Sequence, residues 1–369
     1  MTLSSLHSTE DKSSEQKQSL PRVDIIVPCY NYGRFLRACL KSVLDQSGCQ
    51  VRALIIDDCS TDDSLDIARA IAAEDSRVQV LAHDVNRGHI ATFNEGIEWL
   101  ASDYMLLLSS DDMLAPGALA RATELMEAEP SISFVWGPAI QFSDETELAT
   151  QLSRQPPPSR GRLERGRDFI FGFCIKPDNH IETATAVVRT TLQKKVGGYR
   201  PELPHSGDME MWLRLAAYGD VGVVSEVQAF TRIHVHNMRH GYKADRNSAD
   251  YEQRHLAFQM FFDNQSERLE GADRLARLAR RSIAEDVLWS AARHFEVAEG
   301  DAATARLMDL ASTIDRSILW APLWWKTSVK RVLGPRWWRA LGPVLTVLKR
   351  VTLPRAGEQR IAAPRGRSS

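Results

Sequence analysis

The chain has 369 residues, with 46 Lys and Arg against 48 Asp and Glu, 43% apolar residues and 25% charged residues. These proportions are typical of a soluble globular protein and exclude a chain that is disordered throughout. The net charge of −2 argues against a protein that binds nucleic acid in bulk, and the length suits one large α/β domain with an appendage, or two domains.

Strand and helix patterns alternate along the first part of the chain. Residues 1–20 are polar and mixed in charge, which predicts a disordered lead-in. The segments that follow are predicted as strand 23–28, helix 34–46, strand 53–57, helix 62–74, strand 78–82, helix 90–101 and strand 104–108. We therefore predict an α/β domain over residues 21–240, with a three-layer, mostly parallel sheet covered on both faces.

The middle and the end of the chain follow other patterns. The stretch Gln155–Arg167 contains three consecutive prolines and predicts a mobile loop. The later elements are predicted as strand 183–188, helix 208–218 and strand 231–236, then a helical extension over 241–315 that contains a hairpin of helices near 274–295 and 302–312.

Parallel sheets bind ligands in the crevice beyond the carboxyl ends of their strands. The residues that directly follow the predicted strands are therefore expected to contact a substrate. They are Pro28–Asn31, Asp57–Asp58, Asp84–Gly88 and Ser109–Asp112.

Two pairs of adjacent acids lie among these residues. Asp57 and Asp58 follow a buried strand, where they either cap the next helix, as Ser60 also could, or bind a ligand. Asp111 and Asp112 would repel each other unless a cation lay between them. A hard divalent ion that also neutralises a diphosphate would remove this repulsion. The alternative is an ordinary turn into the next helix.

Three further residues have side chains suited to chemistry. Asp208 lies at the start of a predicted helix, where it either caps the helix or acts as a general base for a hydroxyl nucleophile. His234 and His236 alternate along a predicted strand, so their side chains point to the same side. They either bind a metal ion or are ordinary surface histidines.

Other kinds of nucleotide chemistry are disfavoured by the residues after the first strand. Neither a G-x-G-x-x-G sequence nor a Walker A sequence follows it, which argues against dinucleotide oxidoreductases and P-loop enzymes. The segment Cys29–Tyr32 also lacks the Gly-rich loop with a basic residue that sugar-1-phosphate nucleotidyl transfer needs. We expect a nucleotide to be held by side chains at the strand ends and by an ion.

Several of these segments, taken in order, resemble the family 2 glycosyltransferases, which are inverting enzymes with the Rossmann-like GT-A fold. The resemblance covers about residues 21–238. The segments that carry it are Val23–Asn31, Ile56–Asp62, Asn86–Gly88, Asn94–Gly96, Ser110–Asp112, Gly207–Asp208 and Trp212–Arg214. Their order and spacing together are specific, whereas each one alone is a weak signal.

The resemblance implies a binding site for a nucleotide sugar. It implies that Tyr30 lies against the base and that Asp58 accepts a hydrogen bond from it, as the N–H of uracil would offer. Pro28, Asn94 and Asp111 complete the donor site that this resemblance implies.

The resemblance also implies a metal site and a catalytic base. Asp111 and Asp112 match the family's metal-binding acids, with Asp112 as the direct ligand of Mn²⁺ or Mg²⁺. His234 matches a late histidine of the metal or diphosphate shell, and Asp208 matches the base. Two departures from the family pattern bear on these roles. Ser110 stands where many members have the first acid of Asp-x-Asp, and Gly207 stands where many have a Glu before the base.

The implied reaction is a metal-assisted single displacement that moves a hexose from a nucleoside-diphosphate sugar, with UDP favoured, to a hydroxyl of a glycan or lipid-linked acceptor. Asp208 takes the proton of that hydroxyl, and the configuration at the anomeric carbon inverts. Such enzymes serve polysaccharide biosynthesis. A hypothesis from a different class is a non-catalytic glycan-binding or membrane scaffold protein on a transferase-like fold.

The end of the chain differs in charge from the rest. Residues 316–369 hold 12 Lys and Arg and one acid, a net charge of +11, against −13 for the other residues. Five tryptophans lie among these basic residues: Trp320, Trp324, Trp325, Trp337 and Trp338. Trp and cations interleaved in this way predict a segment that lies on an anionic membrane surface. The alternative is a terminal helix whose tryptophans pack on the body.

Cysteine content and hydropathy predict the compartment. The five cysteines include no C-x-x-C pair and predict neither a disulfide framework nor a cysteine zinc site. This cysteine usage is typical of proteins in the reducing cytosol. No signal-peptide core and no run of about 18 apolar residues is apparent. We therefore expect a cytoplasmic protein that is peripheral on the cytoplasmic face of the membrane.

Overall fold

The structure is a computed structural model that describes residues 19–144, 161–234, 248–297, 301–334 and 337–338. The chain divides into two compact units between Ala279 and Arg280. His236, most of the predicted lead-in and residues 155–160 of the predicted loop lie outside the described residues.

The first unit is built on an eight-stranded sheet. Its strands are β1 (Arg22–Cys29), β2 (Gln50–Asp57), β3 (Val78–Ala82), β4 (Tyr104–Leu107), β6 (Ile132–Trp136), β8 (Arg162–Glu164), β9 (Val187–Arg189) and β10 (Asp220–Val223). They lie in the order β3-β2-β1-β4-β9-β6-β10-β8. The first four are mutually parallel, whereas β9 runs antiparallel to both of its neighbours.

Helices cover both faces of this sheet, as predicted. They are α1 (Gly33–Leu44), α2 (Ser64–Glu74), α3 (His89–Trp99), α4 (Ala118–Ala128), α5 (Gly166–Ile175), α6 (Thr190–Val196) and α7 (Gly207–Ala216). A further helix, α8 (Ser248–Gln265), packs on α7. Ile25 belongs to the same buried apolar cluster as residues of α1, α2 and α4, whereas Ile26 contacts Gly96 of α3 on the other face. A Cβ at Gly96 would lie 2.4 Å from Ile26 Cγ2, so glycine is what allows α3 to approach the sheet this closely.

Three predicted elements differ from the observed ones. The predicted strand 183–188 is a 3-10 turn, Thr183–Thr185, followed by β9; Thr185 N donates to Glu182 O at 2.9 Å, which bends the chain before the strand begins. Residues 162–167 of the predicted loop form β8 and the start of α5. The helix predicted to begin after a Ser60 cap begins at Ser64, and the Ser60 hydroxyl instead accepts a hydrogen bond from Asn31 N at 3.0 Å.

The first unit also contains a second, three-stranded sheet. It consists of β5 (Met113–Leu114), β11 (Ala229–Arg232) and β7 (Ala139–Phe142), in that order. The strand predicted over 231–236 therefore ends at Arg232. Because β11 pairs with β5, the residues that follow β11 lie next to the acids that precede β5.

The C-terminal helices form as predicted. They are α9 (Ala272–Val297), which crosses the boundary between the units, and α10 (Asp301–Ile314), followed by further helical residues at 322–334. None of the helices in the described ranges has both the length and the apolar content that crossing a bilayer requires.

Candidate active site

The carboxyl ends of three neighbouring strands form the candidate site. β1 lies between β2 and β4 and runs parallel to both, so the residues that follow these strands meet at one edge of the sheet. The backbone N–H of Asp58 donates to Cys29 O at 2.9 Å. This bond holds Asp58 beside the segment from Pro28 to Tyr30, as the sequence predicts for a ligand-binding edge.

The loops after β1 and β2 are joined by Asn31. Its side-chain oxygen accepts the N–H of Thr61 at 2.7 Å, and its own N–H donates to Ser60 Oγ at 3.0 Å. Asn31 and Cys59 both have a positive φ, 60° and 61°, which is costly for side-chain-bearing residues and is found where loops serve a function. The Tyr30 ring beside this junction is 46% exposed and is accessible to a ligand.

Asp58 is held by three hydrogen-bond donors. One of its oxygens lies 2.7 Å from His83 Nδ1 and accepts the N–H of Arg87 at 2.7 Å; the other accepts the N–H of Gly88 at 2.9 Å. On the far side of the ring, His83 Nε2 lies 2.8 Å from a carboxylate oxygen of Glu95. An ionised carboxylate only accepts hydrogen bonds, so Asp58 is fixed in orientation by the loop after β3.

Sequence reasoning missed His83, although a signal for it existed. His83 directly follows β3, and the same rule that selected Asp84–Gly88 applies to it. Its side chain is buried between Asp58 and Glu95, so it supports the site from beneath and is not open to a ligand.

The acids after β4 have different surroundings. The Asp111 carboxylate is buried, accepts the hydroxyl of Ser109 at 2.6 Å and lies 3.0 Å from His234 Nε2. Asp112 is more accessible, and one of its oxygens accepts the N–H of Arg232 at 2.9 Å. The structure thus brings together Asp111, Asp112 and His234, three of the residues predicted to lie near a metal-bound diphosphate.

Aromatic rings fix His234 in place. Its ring lies edge-on to Tyr32 and tilted over Phe35, with 5.2 Å between ring centroids in each case. The Arg232 guanidinium lies 4.6 Å from the centroid of Phe35, a distance typical of a cation–π contact.

Ser110, which replaces an acid of the family pattern, is fully buried. In the described residues, no group of three or more His, Cys, Asp or Glu side chains forms a ready-made metal cage.

Asp208 lies in the first turn of α7. Its oxygens accept the backbone N–H of Met209 at 2.8 Å and the side-chain amide of Asn179 at 2.8 Å. Burial raises the pKa of Asp208 to about 6, because a charged carboxylate is poorly solvated there. A carboxyl group with this pKa is largely ionised at neutral pH and is a stronger base than an ordinary Asp.

A buried ion pair supports the helix that carries Asp208. Glu210 is fully buried and bonds Arg214 at 2.7 Å and Arg200 at 3.1 Å. Arg214 also donates to the carbonyl oxygens of Val196 and Gly198, at 2.7 and 2.9 Å. These bonds fix the start of α7 against the loop that follows α6.

The start of α3 connects Asp58 with the segment before Asp208. Gly88, whose N–H binds Asp58, is the residue before α3, and the next residue, His89, donates from Nε2 to the carbonyl oxygen of Pro204 at 2.9 Å. The loop that holds Asp58 is thus bonded to the segment that leads to Asp208. Asp58 and Asp112 follow β2 and β4, the two neighbours of β1.

Asn94, which the resemblance predicts in the donor site, is hydrogen-bonded to the backbone of Tyr199. Its side-chain amide donates to Tyr199 O at 2.9 Å and accepts from Tyr199 N at 2.6 Å. The oxygen and the nitrogen of the Asn94 amide are therefore both bonded to the backbone of the segment that leads to α7. The contact between Asn94 and a nucleotide sugar stays a prediction, and the observed bonds indicate a structural role.

We expect Asn94→Ala to lower stability more than donor affinity. Loss of the two bonds to Tyr199 should cost about 1–3 kcal/mol of unfolding free energy, with a change in the donor Kd of less than about threefold. Thermal unfolding and calorimetric titration with the donor separate the two effects, with Glu98→Ala, an exposed residue of the same helix, as control. A large loss of donor affinity without loss of stability would instead favour direct contact.

Comparison with known families identifies the domain. Residues 24–189 match the model described as glycosyl transferase family 2. This part of the chain belongs to that family, and the domain is a glycosyltransferase domain.

The chain is also similar to several curated proteins. It is 28% identical over 200 residues to "Uncharacterized protein MT1568" of Mycobacterium tuberculosis, covering 53% of this chain and 62% of that protein. It is 35% identical over 108 residues to a glycosyltransferase of Haemophilus influenzae, covering 29% and 43%. It is 28% identical over 213 residues to the O-antigen biosynthesis protein RfbC of Myxococcus xanthus, covering 56% and 15%. The chain therefore spans less than two thirds of the length of these relatives.

Solved structures show the same fold. A crystal structure of TarS 1-349 from S. aureus has a TM-score of 0.57 at 16% identity and covers 84% of this chain and 88% of that one. The complex of the same protein with UDP-GlcNAc has a TM-score of 0.56 at 16% identity and covers 80% and 82%. The GT-A fold predicted from the sequence is confirmed, including its C-terminal helices.

Proposed function

We propose that this chain transfers a hexose from a UDP-sugar to a hydroxyl acceptor with inversion of configuration. The proposal is carried by the positions of Asp58 and Asp112 after the two neighbours of β1, together with the bond from His89 that joins the start of α3 to the segment before Asp208. The likeness to TarS, which has been crystallised with UDP-GlcNAc, supports UDP as the nucleotide.

Asp58 and Tyr30 are suited to a uracil base. A carboxylate has about four acceptor positions, and Asp58 uses three of them for His83, Arg87 and Gly88. One position remains for a ligand donor such as the uracil N–H. The exposed ring of Tyr30 offers a face on which the base can stack, and Pro28 forms the adjoining end of β1.

The acids after β4 are suited to a divalent ion. Asp111 and Asp112 supply the carboxylate oxygens that Mg²⁺ and Mn²⁺ prefer, and His234 lies within reach of the same group. Such an ion supplies charge neutralisation for the departing diphosphate. The hydrogen bonds from Ser109 and from Arg232 N hold the two carboxylates in place before a donor binds.

Asp208 is proposed to accept the proton of the acceptor hydroxyl. Its bonds to Asn179 and to Met209 N fix the carboxylate. With a pKa of about 6, the group is ionised at pH 7 and gains a proton late in the displacement. An attack from the face opposite the diphosphate inverts the anomeric centre.

The acceptor is proposed to be a glycan or lipid-linked intermediate of polysaccharide biosynthesis. The relation to an O-antigen biosynthesis protein supports this process. The +11 charge of residues 316–369 favours a peripheral location on the anionic cytoplasmic face of a membrane.

Thermal unfolding in the presence of nucleotides tests the proposal. A bound ligand raises the unfolding temperature by mass action, so UDP and UDP-sugars with Mn²⁺ should stabilise the protein, and slow release of UDP from the preferred sugar should follow. A protein that binds glycans without any nucleotide, and releases no UDP, would fit the non-catalytic scaffold hypothesis instead.

We expect His83 to act as a positioning residue for Asp58. His83→Leu removes the donor to Asp58 and should raise the KM for the donor about tenfold, which corresponds to the loss of one hydrogen bond to a charged group. In His83→Asn the amide nitrogen can take the place of Nδ1 and should restore most of the affinity. A purely structural role would lower the stability of both variants and leave the KM of the folded fraction unchanged.

A further inference from the structure

The second compact unit contains a helix that buries polar side chains and exposes apolar ones. In residues 322–334, the polar side chains of Thr327 and Lys330 are buried, whereas Trp325, Val329 and Val332 are exposed. These three apolar residues lie three and four positions apart and therefore share one side of the helix. A helix that served only to close a core would bury its apolar side.

Exposed apolar side chains are concentrated in this helix and directly beside it in the sequence. Of the fifteen exposed large apolar side chains in the described ranges, seven lie between Leu319 and Trp337. Trp320 is 85% exposed, Trp325 is 60% exposed and Val332 is 88% exposed. A contiguous apolar patch that remains in water marks an interaction site. We call the exposed side formed by Trp325, Val329, Val332 and Leu333 the apolar face.

The charge of the chain from residue 316 onward favours anionic lipid as the partner. Lys326 is exposed directly beside Trp325, and residues 316–369 carry a net charge of +11. Tryptophan combines an apolar ring with a polar N–H and is enriched at membrane interfaces, and basic residues are attracted to anionic headgroups. A second copy of this chain would present the same positive charge and would be repelled, so the charge argues against self-association through this face.

We propose that the apolar face binds the surface of an anionic bilayer. Trp325, Val329 and Val332 enter the headgroup region, and Lys326 remains among the lipid phosphates. This contact rests on the membrane location proposed above and names the surface that makes it, but it does not depend on the proposed transfer reaction.

Sedimentation with vesicles tests this proposal. The full chain should sediment with vesicles that contain one third phosphatidylglycerol in phosphatidylcholine, less with phosphatidylcholine alone, and less at high salt because surface attraction is screened. Val332→Glu places an acid on the apolar face and should weaken partition roughly tenfold through lost apolar burial and charge repulsion. Ala302→Glu, which makes the same charge change at an exposed position of α10, should leave partition close to that of the unchanged chain.

Separate outcomes would overturn the membrane proposal or the proposed reaction. If the unchanged chain does not sediment with anionic vesicles, or if Val332→Glu sediments as the unchanged chain does, the apolar face is not a membrane site. A dimer in solution that Val332→Glu dissociates, without any vesicle binding, would assign the face to a second copy. UDP release from a soluble donor should be equal in Val332→Glu and the unchanged chain. This assay tests the proposed reaction separately from the sedimentation assay, so failure of one proposal can be distinguished from failure of the other.

Discussion

Asp208→Asn should abolish sugar transfer while leaving the donor site intact. Removal of a general base lowers the rate by about 10²–10⁴-fold, and the amide oxygen can still accept the N–H of Met209. The donor Kd, measured by calorimetry with UDP, should remain unchanged because Asp58 and Asp112 are untouched. Asp178→Asn, an exposed residue beside Asn179, is the matched control and should retain full activity.

The same substitution should raise stability, with a defined dependence on pH. The pKa of Asp208 is raised from 3.8 to about 6 in the folded protein, so the folded state holds this proton more tightly than the unfolded state. The resulting stabilisation is fully present below pH 3.8 and is lost as the pH rises through 6. At pH 7 the ionised carboxylate therefore destabilises the fold, by on the order of 2–3 kcal/mol. Asp208→Asn should unfold at a higher temperature at pH 7, and the difference should shrink at pH 4.

The rate of transfer should depend on the ionisation of the Asp208 carboxylate. Only the ionised carboxylate accepts a proton, so kcat should fall about tenfold per pH unit below pH 6 and be flat above it. If Asp208→Asn kept full activity, or if its pH profile were the same as that of the unchanged protein, Asp208 would not be the general base.

Asp112→Asn should remove the dependence of donor binding on a divalent ion. The amide oxygen can still accept the N–H of Arg232, so the fold should be retained, but the negative charge that attracts the ion is lost. We expect transfer activity to fall by at least about a hundredfold. Titration with UDP in the presence and absence of Mn²⁺ measures the effect, because the unchanged protein should bind UDP more tightly with the ion.

Chelation and a charge-matched variant complete this test. Treatment with EDTA should reduce the activity of the unchanged protein to the level of Asp112→Asn, and added Mn²⁺ should restore only the former. Glu124→Gln, which removes one exposed acid on α4, should behave as the unchanged protein does. Full activity in EDTA would mean that Asp111 and Asp112 have a role other than binding an ion.

The parallel half of the sheet could be predicted from the sequence because its elements are local and strongly patterned. β1, β2 and β4 are apolar segments followed at once by polar residues, and the rule for parallel sheets then brings Tyr30, Asp58 and Asp111 to one edge. The contact between Asp111 and His234 could be anticipated only through the resemblance, because it depends on the pairing of β11 with β5, which are more than a hundred residues apart.

Several features depend on contacts that no local sequence pattern encodes. The segment 183–188 has strand-forming residues, but the hydrogen bond from Thr185 N to Glu182 O forms a turn at its start. Asn94 belongs to a motif of the family, yet the approach of Tyr199 occupies its amide, and no local pattern predicts which backbone a side chain will meet. Asn179 was missed because it lies in an irregular segment before the turn at 183.

The helix α3 has a consequence for how substrate preference can change. Its first residues carry the loop that holds Asp58, its His89 binds Pro204, and its Asn94 binds Tyr199. A shift of α3 would therefore move the proposed donor site and the segment that leads to Asp208, the proposed base, together. Selection for a new sugar nucleotide through mutations in α3 should alter acceptor turnover as a side effect, whereas mutations after β4 should be able to change the two independently.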